Sequence, residues 1–234
     1  AASGAQGYHI VLKTNDTFDI YKVNSLKSAP NNCTNSQNET GWGTWSINTT
    51  NGSETFIQNY PIPANGIIFV EDHVWVDGKI NTARVTIAAG KFPDSSSTWK
   101  NIIVNDDLLY TNYDGTDSIA LIAQGNISTG LYNNDDGDEI MRIDAALMAQ
   151  NGRAGRYYYS SSCGSTYLET KLTLYGMIGT NKRYGFAWGN SSNITSGYQT
   201  REIIYDSNLL YAPPPSFPLT SNQYSTLSWE EVTN

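Results

Sequence analysis

Four segments of this chain repeat one another loosely: "VTIAAG" (Val85 to Gly90), "IALIAQG" (Ile119 to Gly125), "AALMAQNG" (Ala145 to Gly152) and "YGMIGTN" (Tyr175 to Asn181). Aligned on Ala89, Ala123, Ala149 and Gly179, they recur at spacings of 34, 26 and 30 residues. Each sets an apolar pair before small residues. Further strand-like runs lie between them, such as "NIIVN" (Asn101 to Asn105), "EIMRID" (Glu139 to Asp144) and "KLTLY" (Lys171 to Tyr175). Several short strands per repeat, with a repeat near thirty residues, are the mark of stacked coils that bury their apolar sides together. Small residues recurring at one position fit a tube that turns a corner there.

The chain is therefore expected to be all-β, a right-handed parallel β-helix (β-solenoid); a β-sandwich, with strands every 8–12 residues and the repeats fortuitous, is the alternative. No window carries a 3.6-residue apolar stripe except "DEIMRIDAALMAQ", where Ile140, Ile143 and Leu147 are helically spaced, and there the repeat argues for a strand. The stretch Gly66 to Gly90 reads as three short strands and would form the first coils. Before it, "YHIVL" and "TFDIYKV" form a hairpin from Tyr8 to Val23. A polar excursion from Asn24 to about Gly52 follows, anchored by Trp42, Trp45 and Ile47. This divides the chain into residues 1–60 and a main unit, 61–234. From about Gly197 the pattern changes: Pro213 to Pro215 and Pro218 cannot sit in a central ladder. They are expected to form a Pro-rich C-terminal cap, with Tyr205, Leu209, Leu210, Tyr211 and Phe217 packed over the last coil and "YSTLSWEEV" closing through Leu227 and Trp229.

Fourteen basic residues against 22 acidic give a net charge of -8, which repels phosphate backbones and anionic lipid. Nucleic acid is not an expected partner. No apolar run approaches the ~18 residues of a membrane span. The chain starts at Ala1 without Met or leader, so a processed or truncated form is expected. Cys33 ("NNCTNS") and Cys163 ("SSSCGST") sit in polar surroundings, as exposed positions do, and in an exported protein they favour a disulfide over two unrelated thiols. Sequons occur at Asn15, Asn32, Asn38, Asn48, Asn51, Asn126, Asn190 and Asn193 and mark surface loops, glycosylated where the machinery exists.

Catalysis would need converging carboxylates. The candidates are Asp106 and Asp107, Asp114 and Asp117, and Asp135, Asp136 and Asp138, each in a turn-like setting where Asp is expected for conformation alone. Asp144 falls within a strand, where a lone carboxylate is expected to face outward. His9 and His73 lack a nucleophile in a recognisable local motif. The loop 133–139 has the charge density of a calcium loop without its ligand spacing. No catalytic, cofactor or metal site is assigned. "RYYYS" is the best candidate contact surface, because Tyr157, Tyr158 and Tyr159 cannot all point inward from a strand.

The segments "GIIFVEDHVWVDGKINTARVTIAAG", "NIIVNDDLLYTNYDGTDSIALIAQGNI", "IDAALMAQNG", "LTLYGMIGTNKR" and "YDSNLLYAPPPSFP" together resemble bacterial exported proteins described as minor-pilin-like or type IV pilus-associated. The resemblance covers Gly66 to Pro218. It implies an extracellular, surface-attached role and a β-solenoid opened by the first element and closed by the last. The chain lacks the hydrophobic N-terminal helix of that group. The expectation is a non-enzymatic structural or adhesive protein of the cell surface, partnered by surface or pilus subunits, itself or carbohydrate. A polysaccharide lyase or hydrolase is the alternative. The open strands of Tyr8 to Val23 and the Tyr157 to Tyr159 patch are the expected assembly surfaces.

Overall fold

The computed structural model describes residues 1–133, 140–190 and 193–218. Strand accounts for 48% of it and helix for 5%, so the fold is all-β. In chain order the strands are β1 (Gly7–Leu12), β2 (Thr17–Val23), β3 (Glu54–Pro61), β4 (Ile67–Val70), β5 (Val74–Lys79), β6 (Arg84–Ala89) and β7 (Ile102–Leu109). They continue with β8 (Ser118–Ala123), β9 (Ile127–Thr129), β10 (Ile140–Ala149), β11 (Ala154–Arg156), β12 (Leu168–Thr180), β13 (Ala187–Asn190) and β14 (Asn193–Tyr205). All fourteen belong to one hydrogen-bonded network. Ten of the thirteen strand pairings described are parallel, which is not the antiparallel pattern of a β-sandwich.

The parallel pairs fall into three ladders. The first runs through β5, β7, β9 and β11 and aligns Val74, Ile102, Ile127 and Ala154. Its last rung is a bridge from Gly155 to Gly185, so close that a Cβ on Gly155 would lie 2.1 Å from the Gly185 carbonyl oxygen. Only glycine fits there. The second ladder aligns Leu108, Ile143, Leu174 and Ile203 through β7, β10, β12 and β14. The third aligns Ile68, Ile87, Leu121, Leu147 and Ile178 through β4, β6, β8, β10 and β12. Alternate residues of each strand enter one core. Ala89, Ala123 and Ala149 stack in register and are buried, as their repeat implies. Gly179 does not join them: it pairs with Met148, and Thr180 lies beside Ala149.

The expected hairpin is present as β1 and β2, but its edges are covered. β1 pairs in parallel with β5, and β2 pairs with β3, which becomes the outermost strand. Tyr8 to Val23 are thus not an open assembly surface.

The Pro-rich segment departs from the expected cap. β14 continues the parallel ladder through Tyr205, and the chain then turns through a short 3-10 helix, Ser207–Leu210. From there it runs along the outer flank of the third ladder. Ala120, Ala146 and Met177 are in register, and the two alanines leave room for Leu209 and Phe217 to pack on them. Further back, Arg84 donates to the Pro213 carbonyl and Thr86 Oγ1 to that of Pro215. Gly66, at φ +67°, has no space for a Cβ, which would sit 2.5 Å from the Pro215 ring. Tyr205, Leu210 and Tyr211 are exposed rather than packed over an end. Leu227 and Trp229 lie outside the described residues.

Cys33 and Cys163 are bonded, S–S 2.08 Å, and both are buried rather than exposed. Around them pack Leu131, Tyr157 and Tyr159, with Trp42 and Trp45 alongside, so the excursion after β2 brings its own small apolar core to the flank of the ladders. Polar neighbours in sequence misled because the burial comes from distant aromatics.

Candidate functional site

On the outward faces of β1, β5 and β7, beyond the apolar pair Trp75 and Ile103, lie the polar residues His9, Asp77 and Asn105. β7 carries two residues more than β5 between Val76↔Val104 and Gly78↔Leu108, a bulge that turns Asn105, Asp106 and Asp107 off the ladder. The segment Ile47–Glu54 rises opposite them. Between the two lies an open cleft of about 720 Å³, within the size range of ligand sites. His9, Glu54, Asp77, Lys79, Asn105, Asp106, Asp107, Lys27 and Tyr132 line it, with Asn48, Thr49, Thr50 and Ser53.

His9 organises one wall. It is buried, and its Nδ1 and Nε2 lie 2.8 Å from Glu54 Oε1 and Asp77 Oδ2. Burial disfavours its charge, but the hydrogen bonds to Asp77 and Glu54 outweigh that and raise its pKa to about 9. The ring is therefore an imidazolium at neutral pH, donating on both sides. Asn105 Nδ2 also donates to Asp77 Oδ2 at 2.9 Å. Asp107 accepts the Arg142 backbone N–H at 2.7 Å, and Asp106 accepts that of Asp107 at 2.7 Å. Lys27 Nζ sits 3.8 Å above the Tyr132 ring. Four carboxylates face three cations, so the cleft is nearly neutral although the chain is acidic.

A pH dependence follows. His9 is charged up to about pH 9 when folded but only to about pH 6.5 when unfolded. Its contribution is complete below pH 6.5 and lost as pH rises through 9, amounting to about 3 kcal/mol. Urea unfolding at pH 6 and pH 10 should show wild type losing that much more stability than His9→Gln. Equal losses would mean that the histidine is not charged in the folded protein.

The other sequence candidates are dispersed. Asp114 is exposed in a turn, accepting from Thr116. Asp117 is buried and accepts from the backbone of Ala83, Thr111 and Asn112. Asp144 does face away from the core, yet it is fully buried beneath residues 110–113, accepting from the Tyr110 N–H, the Tyr113 hydroxyl and Arg142. Of these candidates among the described residues, only Asp106 and Asp107 reach the cleft. Asp135, Asp136 and Asp138, with all of the acidic loop 133–139 but Asn133, lie outside the described residues. Among the described residues, no group of three or more His, Cys, Asp or Glu is placed to hold a metal ion. His73 is neutral: burial and the charge of Lys100 lower its pKa to about 4, and Nδ1 accepts the Asn101 N–H.

The tyrosine run is not a surface patch. Tyr157 and Tyr159 turn inward, and only Tyr158 is half-exposed, its ring edge-on to Trp188. Alternation accounts for this: two of three consecutive residues can share the inner face. Asn15, Asn32, Asn38, Asn51, Asn190 and Asn193 are exposed. Asn48 is half-buried at the cleft. Asn126 is no free loop residue: its carboxamide accepts the Arg153 N–H and donates to the Tyr157 hydroxyl.

His9, Glu54 and Asp77 escaped sequence reasoning because they come from three strands, 45 and 68 residues apart. No protein-family model, curated protein or solved structure matches the chain. Among the described residues no helix is long and apolar enough to cross a membrane.

Proposed function

We propose that this chain is a non-enzymatic extracellular protein of the cell surface, structural and adhesive, that holds carbohydrate in the cleft beside His9. Its body, in this reading, is a right-handed β-solenoid. The support is the order of the ladders: the chain visits the first, second and third in turn, at Ile102, Leu108 and Ser118, and then returns to the first at Ile127. The buried disulfide suits an oxidising compartment, and the resemblance to pilus-associated proteins points to the same place.

The observation that carries the adhesive reading is the lining of the cleft. Carboxylates, amides, hydroxyls and ammonium groups alternate around an open trough with little net charge, offering donors and acceptors to a polyhydroxylated, uncharged chain. His9, Asp77 and Asn105 are fixed by one another and so are pre-organised. Titration calorimetry with neutral oligosaccharides should give saturable binding that Asp106→Ala weakens at least about tenfold while the fold is kept. No binding across neutral and acidic glycans would end this reading.

One observation favours catalysis as a second reading: Glu54, Asp77, Asp106 and Asp107 share the cleft, and glycoside hydrolysis uses paired carboxylates. Release of sugar fragments, abolished by Asp106→Asn or Asp107→Asn without unfolding, would decide for it.

A further inference from the structure

Asn–Gly is the dipeptide most prone to spontaneous deamidation, because glycine has no side chain to keep its amide nitrogen from the preceding carboxamide carbon. The chain has three of them, at Asn51 and Gly52, Asn65 and Gly66, and Asn151 and Gly152. Two are held away from that reaction. The Asn65 carboxamide accepts the Ile67 N–H at 3.1 Å, and the Gly66 N–H donates to the Pro63 carbonyl at 2.7 Å. The Asn151 carboxamide donates to the Gln124 carbonyl at 3.0 Å. Gly66 and Gly152 are both buried, and a Cβ on Gly152 would lie 2.3 Å from the Asn126 carboxamide oxygen.

Asn51 is different. It and Gly52 are exposed, and a Cβ on Gly52 would meet nothing within 4 Å. Among the described residues, neither the Asn51 carboxamide nor the Gly52 N–H has a hydrogen-bond partner. The turn around them is closed. The Thr50 carbonyl accepts the Ser53 N–H at 3.1 Å, and the Thr50 and Ser53 hydroxyls lie 2.9 Å apart. Asn24 secures the turn, donating from Nδ2 to the Gly52 carbonyl at 3.0 Å and from its N–H to the Ser53 carbonyl at 2.7 Å. Thr50, Gly52, Ser53 and Glu54 line the cleft beside His9.

We propose that Asn51 is a site of self-modification that rebuilds this wall of the cleft. The Gly52 nitrogen attacks Asn51 Cγ: the N–Cγ bond forms, the Cγ–Nδ2 bond breaks, and the displaced amide leaves as ammonia with the Gly52 proton. Water then opens the cyclic imide at one carbonyl or the other, giving aspartate or isoaspartate. Either product puts a carboxylate on the rim in place of an amide. Isoaspartate also routes the main chain through Cβ and Cγ, longer by a methylene, so the turn no longer brings the Ser53 N–H to the Thr50 carbonyl. The change needs no partner or enzyme and does not depend on what the cleft holds.

Folded protein aged at mildly alkaline pH, then digested and mapped by mass spectrometry, tests this. Asn51 should convert at least about tenfold faster than Asn65 or Asn151, the factor set by a hydrogen bond that must break first. In urea, where only the shared dipeptide matters, the three should convert alike. Hydrogen exchange at the Ser53 amide should quicken at least about tenfold in the aged wild type. It should stay slow in aged Asn51→Gln, whose longer side chain closes the ring far more slowly. An Asn51 that stays amidated, an Asn65 or Asn151 that converts as fast in the folded protein, a difference that persists in urea, or an aged Ser53 amide that exchanges as slowly as the fresh one would each overturn the proposal.

Discussion

Replacing Cys33 and Cys163 together by Ala should lower the unfolding free energy by about 4–5 kcal/mol, the largest effect expected of any change outside the ladders. The two cysteines are 130 residues apart in sequence, so the bond closes a long loop in the unfolded chain. On the chain-entropy model such a loop accounts for that amount. The bond also fixes the excursion after β2, whose contacts with the body include Trp42 Nε1 to the Tyr158 carbonyl and the Tyr159 hydroxyl to the Gly43 carbonyl. Without the bond these contacts must hold the segment unaided. For a chain of this size a loss of 4–5 kcal/mol corresponds to a fall in Tm of about 8–20 °C. Calorimetry of wild type and variant would show it. A fall of under about 2 °C would mean that the aromatic contacts alone set the position of the excursion.

The second large effect centres on Arg156, whose side chain has no exposed surface. Its guanidinium donates to the carbonyls of Gly130, Leu131, Thr166 and Tyr167, lies between the rings of Tyr159 and Tyr198, and approaches Glu169 at 3.5 Å. It ties the loop after β9 to the loop before β12. Arg156→Met fills much of the volume but leaves buried carbonyls without donors and Glu169 without its cation. Removing one partner of a buried pair costs about 3–5 kcal/mol, and the orphaned carbonyls add to that. Arg156→Lys should recover little, because an ammonium presents three donors from one point and cannot reach carbonyls on both loops. Urea unfolding of both variants checks this. A loss below about 1 kcal/mol for Arg156→Met would show that the network is dispensable.

Much of the fold was legible from one pattern, and the reason is register. Parallel ladders put equivalent residues beside one another, so Ala89, Ala123 and Ala149 announce their alignment through similar surroundings. The same logic failed by one residue at Gly179, which is small but stands opposite Met148 on the outer face. Smallness alone does not say which way a residue points. The alanines that receive Leu209 and Phe217 were visible in "IALIA" and "AALMA", yet nothing local linked them to a segment 63 to 97 residues later. The cleft was least legible. It depends on a bulge that inserts two residues into β7, and a hydrophobic pattern does not record where a ladder slips. "VNDDLL" read as a turn for the same reason.

The Pro-rich segment on the flank has a consequence for how the chain becomes a molecule. A ribosome delivers β4 and β6 well over a hundred residues before Pro213 and Pro215, the positions that accept bonds from Arg84 and Thr86. Rungs from β6 through β12 can stack in the order they are made, each on the one before. The belt across them cannot fasten until the chain has been synthesised past Phe217, when its two ends of contact, Gly66 and Met177, are both already in place. The belt can therefore fasten only after the ladders it crosses, and a product halted after β14 would carry those ladders without it.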